Sequence, residues 1–128
     1  MTPHELARQR YVNLVTFKKS GEEAKTPIWF AADPQDPRRL WMYTNGKSWM
    51  VKRNRRDPRA RVAACNARGK VHGPWLEASA RIAADEKEIA RAIDLLVGKY
   101  GWQARLLLIG ARLGGTWKDR TVLEVTLA

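Results

Sequence analysis

Residues 76–82 read LEASARI, so that Leu76, Ala78, Ala80 and Ile82 alternate with Glu77, Ser79 and Arg81. A period of two marks a strand with one dry and one wet face, because successive side chains leave the pleated backbone on opposite sides. Upstream, across the turn Arg68-Gly69-Lys70, residues 60–67 supply a second apolar run and so predict a hairpin. Downstream the period changes. Asp85 with Glu88 three residues later has the form of a capping box, and Ile89, Ile93, Leu96, Val97 and Tyr100 then recur at helical spacing. Gly101 breaks that helix, Gln103 to Leu113 predict a second one, and Gly114-Gly115 end it. The chain closes on a strand with Thr121, Leu123, Val125 and Leu127 on one face and Val122, Glu124 and Thr126 on the other.

Toward the N-terminus the same alternation of strand and turn continues. Thr2, Pro3 and Glu5 suit the cap, first position and first turn of a short leading helix. Tyr11–Phe17 and Thr26–Ala32 predict a hairpin around a Ser-Gly turn, with Pro27 placing the second strand at an edge or a bulge. Two Asp-Pro pairs within residues 33–39 precede a third strand, Leu40–Thr44. Ser48 is a plausible N-cap for a short helix, Trp49–Arg56, that stops before Asp57-Pro58. Six strands joined by tight turns favour one domain over residues 1–128: a mainly β, antiparallel barrel with peripheral helices, since parallel strands would each need a helical crossover. Closing the barrel would also remove exposed edges.

The totals narrow the function classes. A single cysteine, Cys65, excludes an internal disulfide, and His4 and His72 lack metal-ligand spacing. No apolar run approaches the roughly 18 residues that cross a bilayer, and Met1 to Arg10 lack a secretory apolar stretch, so a cytoplasmic address with no membrane partner is expected. The unusual total is charge: 24 Lys and Arg face 13 Asp and Glu, a formal +11 that favours anionic partners.

That charge concentrates in residues 44–61, TNGKSWMVKRNRRDPRAR, where seven cations accompany one acid. The start of the short helix, with Lys47 and the Ser48 hydroxyl beside it, would offer free N–H groups and a positive dipole end to a phosphate. The plain alternative is a solvated basic face. Six tryptophans offer stacking faces, and Trp29 and Trp49 adjoin the edge strand and the basic helix, though most of the six are expected in core or interface. No nucleophile elbow, glycine-rich phosphate loop or HExxH is present, and Cys65 reads as a buried small hydrophobe. Chemistry without its own acid, base or nucleophile calls for a cofactor.

The segments YVNLVTF, TPIWF, VKRNRRDPRARVAAC, NARGKVHGPWLEASAR, KYGWQARLL and TVLEVTL, taken in order, resemble the flavin/deazaflavin oxidoreductases. These are split-barrel proteins related to pyridoxamine 5'-phosphate oxidase, and the likeness is to the small branch that uses the deazaflavin coenzyme F-420. The resemblance implies a six-stranded FMN-binding split barrel that forms a homodimer, with FMN or deazaflavin F-420 at the subunit interface. It implies a cofactor ring against Thr26, Pro27, Ile28 and Trp29, and a phosphate held by Thr44, Lys47, Ser48, Trp49, Lys52 and Arg53. One departure stands out: Met50 and Trp49 occupy positions where the family's SGKVKR-like pattern has lysine and glycine. Loss of one charge-assisted hydrogen bond there would cost roughly 1.5 to 3 kcal/mol of binding.

The expected activity is therefore hydride transfer between the bound cofactor and a small conjugated or heteroaromatic substrate, with no catalytic side chain and no metal. A non-catalytic flavin carrier or sensor is the alternative that Met50 motivates. Nucleic-acid binding is disfavoured because no recognised binding signature accompanies the charge.

Overall fold

The computed structural model describes residues 1–83 and 85–128. In chain order the elements are α1 (Pro3–Ala7), β1 (Tyr11–Phe17), β2 (Glu23–Ile28), β3 (Ala31–Ala32), β4 (Arg39–Asn45), α2 (Trp49–Arg56), β5 (Arg59–Cys65), β6 (Leu76–Ala83), α3 (Glu86–Tyr100), α4 (Trp102–Leu113), a single 3-10 turn (Trp117–Asp119) and β7 (Arg120–Leu127). All strand pairs are antiparallel, and the sheet runs β2-β1-β5-β6-β7-β4-β3.

The strand order itself dictates the curl. β2 and β3 stand on opposite edges of the sheet, yet only Trp29 and Phe30 separate them in sequence. A link of that length spans roughly 10 Å when extended, so the sheet must roll until its two edges come that close. The result is a mainly β half-barrel with peripheral helices, a split barrel. Its interior is filled from alternate positions of the long strands: Val12 and Leu14, Leu40 and Met42, Val62 and Ala64, Ala78 and Ala80, Leu123 and Val125, with Phe30 and Met50.

Two expectations need correction here. The sheet has seven strands, not six, because the run expected as one strand over Thr26–Ala32 breaks at Trp29-Phe30. The break is held by Tyr100: its hydroxyl accepts the Phe30 N–H at 3.0 Å and lies within donating reach of the carbonyls of Phe30 (2.9 Å) and Arg10 (2.7 Å). Backbone groups that would otherwise need a ladder partner are thus met by one side chain, and the chain can cross between edges. Closure, for the same reason, is made by this link, and β2 and β3 are not neighbours in the ladder. Pro27 lies on edge strand β2, where its missing N–H removes no ladder bond from a central strand.

Capping explains the helix starts. Thr2 and Glu5 form a reciprocal box at α1, and the Ser48 hydroxyl accepts the Val51 N–H at 3.3 Å at α2. Asp85 caps α3 through the Lys87 N–H at 3.0 Å, but the second half of the expected box is absent. Glu88 instead binds the Arg81 guanidinium at 2.6 Å, an ion pair that ties α3 to β6. Between α3 and α4 the chain turns at Gly101 with φ of +64°, a backbone angle that disfavours any side chain.

α3 packs on the outer face of the sheet through two clusters. Ile89 and Ala92 meet Trp41, Ala83 and Val122, and farther along Leu96 and Tyr100 meet Ala31 and, from α4, Ala104. Asp33, fully buried beside this layer, accepts from the Trp41 indole at 3.1 Å and from Arg91 at 3.2 Å. Bonds from Gln35 N–H and Trp41 outweigh the burial and hold its carboxyl below the usual range.

Candidate functional site

Residues at the ends of β2 and β4, together with α3 and α4, line a cleft of about 560 Å³. Pro27, Ile28 and Trp29 form one wall, and Tyr43, Thr44 and Asn45 another. The helices supply a roof: Ile93, Leu96 and Val97 from α3, and Ala104, Leu108 and Ala111 from α4. Small residues on that face of α4 leave the room; a Cβ added at Gly110, which also lines the cleft, would meet no atom within 4 Å.

Among the described residues, no Lys, Arg, Asp, Glu or His lines this cleft. Its ionisable groups are the phenols of Tyr11 and Tyr43, and burial pushes the Tyr43 hydroxyl above its ordinary value of 10.0. A phenol raised in this way stays protonated near neutral pH, so the cleft can bind and orient a flat apolar ring but needs a bound group to do redox chemistry. Trp29 is stacked on Tyr100 with centroids 4.3 Å apart and an interplanar angle of 6°, which fixes the Trp29 ring in the wall.

Of the ten residues expected at a cofactor site, Pro27, Ile28, Trp29 and Thr44 come together here. Thr26 lies on the same edge strand, paired with Leu14, but outside the lining. Thr44 is the joint to the basic helix, because its hydroxyl oxygen stands 3.4 Å from that of Ser48. The first-turn N–H groups of α2 beyond this pair have no helical acceptor, and the dipole there favours an anion. A ring-sized cleft and an anion-suited helix start therefore share one edge.

The four remaining residues do not enter the cleft. Lys47 reaches Asp119 at 3.6 Å, Lys52 lies 4.7 Å from the centre of the exposed Trp49 ring, and Arg53 donates to the buried Thr16 hydroxyl at 2.7 Å. The other cations of the basic segment are similarly engaged: Arg56 donates to the Phe17 carbonyl, Arg59 pairs with Asp57, and Arg61 bridges Glu23 and Glu77. Only Arg55 has no such partner among the described residues. Lys47, Arg59 and Arg61 thus meet carboxylates, while Arg53 and Arg56 are held in place by neutral oxygen atoms and keep their charge. Trp41 alone of the six tryptophans is buried in the core, while Trp49 and Trp102 are mostly exposed on the single chain.

The sequence model of the pyridoxamine 5'-phosphate oxidase family matches residues 4–128. The chain belongs to this split-barrel family. Among solved structures, a conserved hypothetical protein from Mycobacterium tuberculosis superposes with a TM-score of 0.73 at 19% identity, over 99% of this chain and 81% of that one. The heme storage protein HutZ from Vibrio cholerae gives 0.68 at 10% identity over 98% and 87%, and an F-420 reductase gives 0.63 at 15% identity over 98% and 92%. No curated protein matches the chain. Family members thus include both oxidoreductases and heme-binding proteins, and these structural likenesses speak to fold.

Within the family pattern, Met50 takes on a definite meaning. It is buried in the barrel interior with Leu40 and Met42, so position 50 contributes packing in this chain. The cation left beside the helix start is Lys47, which is 74% exposed and bound only to a surface carboxylate. A surface pair of this kind is worth about 1 kcal/mol or less and yields readily to a stronger anion.

Tyr11, Tyr43 and the roof helices were not foreseen as part of a site. Ala104, Leu108 and Ala111 sit at the i, i+4, i+7 spacing of one helix face, and that uncharged face with its two alanines was the available signal.

Proposed function

We propose that the chain is an oxidoreductase that binds a flavin-type cofactor, FMN or deazaflavin F-420, with the ring in the cleft beside Trp29 and Tyr43. The carrying observation is the Thr44–Ser48 contact, which joins an uncharged aromatic cleft to a helix start suited to phosphate. Thr44, Ser48 and the first N–H groups of α2 would hold the phosphate, with Lys47 exchanging Asp119 for it. Trp49, Lys52 and Arg53 would contribute field, and Thr26 would support the edge strand. When bound, the cofactor would supply hydride chemistry, and the protein would orient it and keep water from its ring. The acceptor is a small conjugated or heteroaromatic molecule. Family membership supports a homodimer with the cofactor between copies, which light scattering over a range of concentrations would test.

The experiment is a tryptophan-fluorescence titration with FMN, deazaflavin F-420 and riboflavin. Saturable quenching by one of the phosphorylated compounds, with riboflavin about tenfold weaker or more, is expected from loss of a charge-assisted contact. No saturable response to any of them would reject the reading. The lack of an acid or base in the cleft also suits a carrier that binds without turnover. Reduction of any member of a quinone and enone panel by the reduced holoprotein would decide for the enzyme.

A further inference from the structure

α4 turns Ala104, Leu108 and Ala111 to the cleft and a second set of large apolar residues to water. Trp102, Leu106, Ile109 and Leu113 are spaced four, three and four apart, which places them within one narrow stripe, and they are 69%, 58%, 52% and 85% exposed. Ala104 is the one buried residue of this twelve-residue helix. A contiguous exposed apolar stripe of this kind marks a surface that is covered in use. Arg105 and Arg112, seven residues apart, line one flank of the stripe, and α4 contains no acid.

We propose that this face of α4 lies flat on an anionic lipid surface. Charge complementarity selects that occupant. A second copy docked through the same stripe would set the Arg105 and Arg112 rows of two α4 helices against each other, with only the Asp94 carboxylate of each chain in the same groove to answer two guanidiniums. An anionic headgroup layer answers both arginines while the apolar stripe enters the acyl boundary. The tryptophan at the helix start suits the interfacial depth. No helix among the described residues is long and apolar enough to cross a membrane, and lying on one needs only an amphipathic face. The proposal departs from the expectation of no membrane partner, which rested on the lack of a spanning run.

The test is cosedimentation of the intact protein with phosphatidylcholine vesicles and with mixed phosphatidylcholine–phosphatidylglycerol vesicles. Binding to the mixed vesicles alone, weakening as salt rises, is expected, and replacing either arginine by glutamine should lower partitioning about fivefold. Leu106→Glu with Leu113→Glu, both at exposed positions, should abolish it while leaving the circular dichroism spectrum unchanged. Equal sedimentation with and without phosphatidylglycerol, or no sedimentation of the wild type, would overturn the proposal. So would a wild-type dimer that the same double variant converts to monomer, since the stripe would then be a contact between copies.

Discussion

α2 and α4 flank the same cleft and are built on opposite principles. α2, WMVKRNRR, is half cationic yet anchored: Met50, Val51 and Asn54 are buried, and Arg53 and Arg56 hold β1 through Thr16 and Phe17. α4, WQARLLLIGARL, is mostly apolar yet lies outside, with only Ala104 buried. The contrast shows that composition does not locate a helix. What decides is which faces the neighbouring elements can accept, and here the barrel takes the apolar side of a basic helix while the cleft takes only one of the apolar sides of α4.

The contrast breaks first, and most strongly, at Met50. Met50→Ala should lower stability by about 2 to 4 kcal/mol, read as a shifted urea midpoint, because it empties space in the barrel interior. Arg53→Ala comes next, at about 1 to 2 kcal/mol, since it strips the buried Thr16 hydroxyl of its donor.

The junction into α4 carries a pH signature of smaller size. Burial lowers the Lys99 ammonium from 10.5 to about 8, where it sits 3.6 Å from the centre of the Phe30 ring. The unfolded chain therefore holds a proton that folded Lys99 has released, so stability should rise from about pH 8 to pH 10. Above pH 10 the sign reverses, because burial raises Tyr100 to about 12 and the folded state then keeps the proton. Urea midpoints across that range check both limbs, and Lys99→Met should flatten the first. Smallest of all, Leu113→Ala should change stability by no more than about 0.5 kcal/mol, because 85% of the residue already faces water.

Strands and caps were legible in the sequence because they are local. The alternation in LEASARI and the start and end of Trp49–Arg56 need no partner to be read. The break at Trp29-Phe30 was not legible, since it depends on a hydroxyl seventy residues away on α3. The site divided along the same line. Pro27, Ile28, Trp29 and Thr44 lie at strand ends and were foreseen, whereas the fate of each cation depended on which distant carboxylate, carbonyl or hydroxyl it met.

Gly110→Leu tests the central claim most directly. Leucine at this position extends into open space in the cleft and favours the helix by about 0.5 to 1 kcal/mol, so the variant should fold at least as stably as the wild type. If the cleft houses the cofactor ring, isothermal titration with FMN or deazaflavin F-420 will show binding to the wild type and none to this variant. Unchanged affinity in Gly110→Leu would contradict the account.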